Sequence, residues 1–242
     1  MNGHNFSRFT SQSHFDRPFD QRIHSAMLST TTDLLTYFPQ ATVAYTQSDE
    51  ITLVFPDGVQ SFNDRVQKLA SLAAGHCSVR FNLHLGVAME RGSGPRGEER
   101  GVTDEDEDGE LAATEGGGGG LGSIAHFDAR LFAVPSIAEA LNNLIWRCRN
   151  DAVRNAITSF ARTMYSTQEM HGKRTGELLD MMEREKGVRF EESVPKWAVE
   201  GCLLKRELVE HEGWMGGRGG GKDNEGEGEG GREGLGSLMR RG

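Results

Sequence analysis

Two adjacent carboxylates, Asp49 and Glu50, close a polar stretch, Thr46-Gln47-Ser48-Asp49-Glu50, between two β-rich runs at 41–45 and 51–55. β-Branched and aromatic residues suit pleated, buried strands, and the polar stretch supplies turn formers. The pattern predicts a hairpin with both acids at its apex. Carboxylates fixed on a rigid hairpin can hold a divalent cation against phosphates. Acids are also common in solvated turns, so both readings stand on these residues alone. Near the start, Asn2-Gly3-His4-Asn5-Phe6-Ser7 offers a glycine that permits a tight turn aiming backbone N–H groups at an anion; a frayed terminus is the plainer alternative. Arg147, Arg149, Arg154 and Arg162 recur on the polar side of a helical pattern. That stripe can meet a phosphate backbone or simply face water.

The elements that must position these groups can be read from periodicity. Asp20 is a plausible N-cap for a helix over 21–37, closed by Pro39, with the threonines at 30–32 weakening its middle. Val66, Leu69, Ala70, Ala73 and Cys77 make a helical stripe over about 63–83. Residues 127–134 alternate like a strand and stop at Pro135, after which Ser136 caps a long helix over 137–165. A short helix follows at 175–186, and 194–204 reads as a bulged or edge strand, limited by Pro195 and Gly201. Helices and strands alternate without a repeated βαβ unit, which predicts an α+β fold: an antiparallel sheet covered by helices.

Composition sets the bounds. Of 32 glycines in 242 residues, 11 fall in 90–122 and 13 in 213–242, marking both as low-complexity segments rather than ordinary folded chain. The domain reading is therefore a catalytic domain in two parts, 1–89 and 123–212, around a Gly- and acid-rich insert at 90–122 and before a Gly-rich tail at 213–242, both expected to be disordered. The insert carries a net −7 of the chain's −9, so the acidity is no argument against an anionic partner such as RNA. Three scattered cysteines without a Cys-x-x-Cys argue for an intracellular, reducing compartment, the cytoplasm first with nucleus and mitochondrion as alternatives, and against a disulfide framework or zinc knuckle. The histidines show no ligand spacing. No apolar run approaches the about 18 residues of a spanning helix, so no membrane role is expected, and the polar N-terminus does not read as a secretory signal.

Several segments in order resemble the tRNA(His) guanylyltransferases and the related 3′-to-5′ tRNA-repair polymerases. They are Asn2-Gly3-His4-Asn5-Phe6, similar to an Asp-Gly-Arg-x-Phe opening; Arg17-Pro18-Phe19-Asp20; and Tyr45-Thr46-Gln47-Ser48-Asp49-Glu50, similar to a Tyr-x-Gln-Ser-Asp-Glu hairpin. Phe127-Asp128-Ala129-Arg130 with Pro135-Ser136, Trp146-Arg147 with Asn155, and Pro195-x-Trp197 follow. The resemblance implies a polymerase palm-like sheet and an enzyme that adds guanylate from GTP to the 5′ end of tRNA(His) after activation with ATP. It implies two Mg²⁺ ions held by Asp49, the Gly3 carbonyl and residue 2, with Glu50 supporting the catalytic site. His4, Asn5, Phe6, Ser7 and Ser48 would cradle the triphosphate, and Arg17 and Asp20 would lie near. The implied partners are tRNA, GTP and ATP, and the implied assembly is a homotetramer.

Three departures qualify the resemblance. Asn2 stands where the family has a metal-binding aspartate, and an amide lacks the charge that holds two dications together. The family has a strand before that position, and here only Met1 precedes it; the expectation is a truncated start, an absent central strand and weak or no activity. Ala152 stands in a segment where members specific for tRNA(His) carry histidine, which favours template-dependent repair of 5′ ends as an alternative. A non-catalytic GTP- and tRNA-binding remnant and a nucleotide cyclase are the competing readings.

Overall fold

A computed structural model describes residues 1–12, 15–59, 63, 65–92 and 124–207. The 90–122 insert, from residue 93, and the 213–242 tail lie outside the described residues. Five strands, β1 (Asn2–His4), β2 (Val43–Gln47), β3 (Glu50–Val54), β4 (His126–Asp128) and β5 (Cys202–Lys205), form one antiparallel sheet in the order β4-β1-β3-β2-β5. The fold is α+β, an antiparallel sheet covered by helices, as the pattern predicts. The expected absence of a central strand is corrected. Residues 2–4 form it, pairing with β4 along their length and with β3 at Asn2, while Met1 and Ile51 exchange backbone hydrogen bonds at 2.7 and 3.1 Å.

One face of the sheet carries Ala44, Thr46, Ile51, Phe127 and Leu204, all buried beneath α2 (Gln21–Tyr37) and α3 (Val66–Gly92). Helix α2 begins at Asp20, whose carboxylate accepts from the Arg22 and Ile23 amides at 2.7 and 3.4 Å. The threonine cluster is compatible with the helix because Thr30 and Thr31 donate their hydroxyls to the Ala26 and Met27 carbonyls one turn back, each at 2.7 Å. Helix α3 runs well past the expected end near 83. Phe81 and Leu85 extend the buried stripe of Leu69, Ala73 and Cys77, so packing carries the helix into what reads in sequence as insert. Asp33 of α2 binds Arg80 and His84 of α3, both at 2.5 Å.

A second cluster joins α5 (Ala152–Ala161), α7 (Thr175–Lys186), α8 (Phe190–Ser193) and α9 (Lys196–Glu200) through Ala156, Ile157, Leu178, Met182, Phe190 and Ala198. Three sequence expectations change here. The strand at 127–134 shortens to β4, because its partner β1 offers only three residues. The helix at 137–165 is α4 (Ile137–Trp146), a π-helical turn at Arg147–Asp151, and α5. The strand at 194–204 is α9 followed by β5, with Gly201 at φ 72° making the break between them. Helices α1 (Phe6–Gln12) and α6 (Thr167–Met170) complete the described elements. No helix among the described residues is long and apolar enough to cross a membrane.

Candidate functional site

The hairpin is tighter than its sequence suggests. Gln47 pairs directly with Glu50, so the connection is Ser48-Asp49 alone and Glu50 opens β3 instead of sitting at the apex. Ser48 takes the left-handed conformation, φ 52°, that two-residue hairpins require, and its hydroxyl bonds the Asp49 carboxylate at 3.1 Å. Two anchors fix the turn from behind. Tyr45 donates its hydroxyl to the Glu200 carbonyl at 2.8 Å, and the Gln47 side-chain amide donates to the Ala198 carbonyl at 3.0 Å. Gly201 allows this approach, since a Cβ there would stand 2.6 Å from the Tyr45 hydroxyl.

Asp49 lies against β1. The Gly3 N–H donates to the Asp49 carbonyl at 3.1 Å, and a Cβ on Gly3 would meet Asp49 Oδ2 at 2.8 Å and the Phe6 ring at 2.7 Å. The glycine is there for this close approach. Its own N–H is taken by Asp49, so any N–H groups offered to an anion belong to the residues that follow it. The backbone turns instead at Asn5, φ 49°. His4, Asn5 and Ser7 are exposed, with Asn5 Nδ2 and His4 Nε2 3.2 Å apart. The Phe6 ring is committed to the core against Phe9, Phe81 and Phe127, which leaves its backbone as the part it can offer a ligand.

Directly opposed residues of antiparallel strands share a face. Gln47, Glu50, Asn2 and Asp128 therefore form one row across β2, β3, β1 and β4, on the face turned away from α2 and α3. Arg147, first residue of the π-helical turn, reaches onto that face and forms an ion pair with Glu50. Arg147 is thus an internal partner, correcting its place in a free basic stripe, and Arg154 binds Asp151 at 2.5 Å. Sequence reasoning missed this pair; the signal was a Trp-Arg dipeptide inside a helical pattern that hides a π turn. Arg17 and Asp20 are not site groups by contact: the Asp20 carboxylate is consumed by the α2 cap and Arg22, and Arg17 is exposed.

Burial pushes the Asp49 carboxyl above its usual range, with only the Ser48 hydroxyl and its own backbone opposing. No cationic side chain pairs with it among the described residues. Burial also raises Glu50, and Arg147 pulls it part of the way back. A half-buried carboxylate against the Gly3 backbone, with no cationic partner among the described residues, suits one hard divalent cation. The fit to two is poorer, since Glu50 is already paired and Asn2 is neutral. Among the described residues no group of three or more His, Cys, Asp or Glu could hold a metal. Beside Asn2, Glu50 and Arg147 opens a cleft of about 940 Å³ between β3 and residues 129–137, floored by Phe38, Phe55, Leu69 and Ala73.

A sequence model of the Thg1 family, tRNAHis guanylyltransferase, matches residues 1–135, more than half of the chain. The chain belongs to this family. It is 31% identical over 222 residues to uncharacterized protein R259 of Acanthamoeba polyphaga mimivirus, spanning 86% of this chain and 69% of that protein. It is 32% identical over 74 residues to tRNA(His) guanylyltransferase 2 of Arabidopsis thaliana, spanning 31% of this chain but only 14% of that enzyme. The fold is that of bacterial tRNA(His) guanylyltransferase (Thg1)-like protein in complex with ATP, with a TM-score of 0.64 at 22% identity, covering 86% of this chain and 76% of that one. The complex with GTP gives a TM-score of 0.58 at 22% identity, covering 87% and 74%. The family is one of nucleotidyltransferases, and the segments that carry the resemblance converge in space: Trp146-Arg147 meets the hairpin at Glu50, and Trp197 packs on Phe19 and His24.

Proposed function

We propose that this protein adds guanylate to the 5′ end of tRNA(His), in the 3′-to-5′ direction, using GTP as donor, ATP to activate the 5′ end and Mg²⁺. The observation that carries the reading is the half-buried Asp49 carboxylate, without a cationic partner among the described residues, against the Gly3 backbone at a hairpin braced by Tyr45 and Gln47. The family, and relatives solved with ATP and GTP, support nucleotide substrates. The antiparallel sheet, with Asp49 at its central hairpin, suits a polymerase palm.

Asp49, the Gly3 carbonyl and the Asn2 amide oxygen would hold the metal. Two Mg²⁺ ions, when bound, offset charge on the attacking and leaving oxygens. The remaining work falls to the chain itself. The exposed His4, Asn5 and Ser7 side chains, the Phe6 backbone and Ser48 bind the triphosphate. The Ser48-Asp49 turn orients it through a backbone that two remote hydrogen bonds keep from moving. Exposed Arg149 and Arg162 face the RNA.

Two observations favour narrower readings. Ala152, in a segment where tRNA(His)-specific members carry histidine, favours template-dependent repair of 5′ ends. The Asn2 amide favours a weak enzyme or a GTP- and tRNA-binding remnant. The test is transfer from labelled GTP, with ATP and Mg²⁺, to tRNA(His) lacking its extra guanylate and to 5′-truncated tRNAs, by the chain and by Asn2→Asp. We expect addition that rises at least about tenfold in Asn2→Asp as the missing charge returns. Strict preference for tRNA(His) would remove the repair reading, and Mg²⁺-dependent GTP binding without transfer in either protein would identify a remnant. We further propose a cytoplasmic homotetramer that buries the exposed Phe132, Ile137, Leu141 and Ile145, and a single catalytic domain interrupted by the Gly-rich insert.

A further inference from the structure

Helix α3 is apolar on two opposite sides. Leu69, Ala73, Cys77, Phe81 and Leu85 are buried in the core beneath the sheet. On the other side Leu72, Gly75, Val79, Leu83 and Gly86 recur at spacings of three and four, a seam that runs between Lys68 and Glu90. Val79 and Leu83 are more than half exposed, and Leu72 is half-buried. A helix with apolar residues on both faces is ordinarily covered on both. The two glycines need a reason as well. Glycine weakens a helix interior, and a Cβ built on Gly75 or on Gly86 meets nothing within 4 Å. Two open notches on an exposed seam let a second helix come close.

The order of the seam says which helix fits. Turned end for end about Val79, the seam falls on itself: Lys68 on Glu90, Leu72 on Gly86, Gly75 on Leu83, and Val79 on Val79. Every large residue then meets a notch, and the exposed cation meets the exposed anion. A contact about a two-fold axis demands such self-complementarity. A three-four seam also suits two helices crossing at about 20°, which keeps them together along their length. We propose that a second copy of this chain docks antiparallel on α3, with Val79 on the two-fold axis, each leucine over a glycine of the other copy, and Lys68 paired with Glu90 across the contact. This surface is distinct from Phe132 and α4, and it stands whether or not the chain transfers guanylate. A closed tetramer built on two-fold axes uses two such surfaces.

The experiment is sedimentation equilibrium of the full chain over a range of concentrations, with circular dichroism to confirm that each variant is folded. We expect the wild type to be a dimer or a tetramer. Val79→Glu, which sets like charges against each other on the axis, should weaken the α3 contact by more than about a hundredfold and halve the mass. Lys68→Glu alone and Glu90→Lys alone should each weaken it by roughly three- to tenfold, and the two together should restore it. Both of these positions are exposed, so the charge exchange decides the matter even where Val79→Glu fails to fold. A tetramer that falls to dimers in Val79→Glu supports this surface and the one at α4. A dimer that falls to monomers supports this surface and contradicts the one at α4. A monomeric wild type overturns the proposal, as does a folded Val79→Glu with unchanged mass or a charge exchange that is not restored in the double variant.

Discussion

At the scale of single residues, the site is organised by an approach that only glycine permits. Gly3 lets β1 pass within reach of Asp49, where a Cβ would meet Oδ2 at 2.8 Å and Phe6 at 2.7 Å. Gly3→Ala must therefore displace the carboxylate, the ring or the strand. We expect a loss of about 1–3 kcal/mol, the usual cost of overpacking, measured by chemical denaturation, together with weakened Mn²⁺ binding. Stability and binding both unchanged would show that the approach is not as close as described. Asp49 and Glu50 were legible in the sequence as a carboxylate pair, because turn formers between β-rich runs have few other readings. Their division of labour was not. It depends on Arg147, 97 residues away, and no local pattern encodes which of two neighbouring acids a distant guanidinium will take.

At the scale of elements, the hairpin and the N-terminus of α2 show where sequence patterns hold and where they fail. Helix α2 and α7 match their predicted ranges, since caps and apolar spacing are local properties. The Asp20 cap carries a pH signature. Burial alone would raise its carboxyl, but hydrogen bonds from the Arg22 side chain and from the Asp16 and Arg22 amides outweigh this and hold it below the usual range. A depressed carboxyl contributes stability that is fully present above its unfolded value, about pH 4, and is lost as pH falls through the folded value. Asp20→Ala should cost about 1–2 kcal/mol at pH 7, and the difference from wild type should shrink below about pH 4 in thermal denaturation across pH. A difference that grows in acid would contradict the assignment. Gly201 was visible only as an interruption. Its φ of 72° and its contact with Tyr45 and Thr46 depend on β5 pairing with β2 across the sheet. Gly201→Ala should cost about 1–3 kcal/mol from the backbone and loosen the Tyr45 anchor. Denaturation and guanylate transfer should fall together, and an unaffected variant would show that the hairpin does not lean on α9.

At the scale of the whole molecule, two hydrophobic clusters meet at Trp197. Trp197, in the helical cluster, stacks on His24 at 4.2 Å and meets Phe19 edge-on at 6.2 Å, tying α9 to α2. The same α9 supplies both carbonyls that brace the hairpin. Trp197→Ala should lower stability by about 2 kcal/mol, less than for a fully buried tryptophan because the ring is half-buried, and should reduce metal binding by freeing the turn. Stability lost with metal binding intact would show that the second cluster does not steady the site. The sequence showed the class of fold and the family, because ordered motifs survive an insert. It hid the brief central strand and the split of the 137–165 helix, since both are set by partners far along the chain.

The central claim is that Asp49 and the Gly3 carbonyl together clasp a divalent cation beside a guanosine triphosphate. The most direct measurement is a crystal soaked with Mn²⁺ and GTP, read by anomalous scattering. The account predicts a manganese peak in contact with Asp49 and the Gly3 carbonyl, with the triphosphate along His4 to Ser7. Density for GTP elsewhere, with no anomalous peak at Asp49, would contradict it.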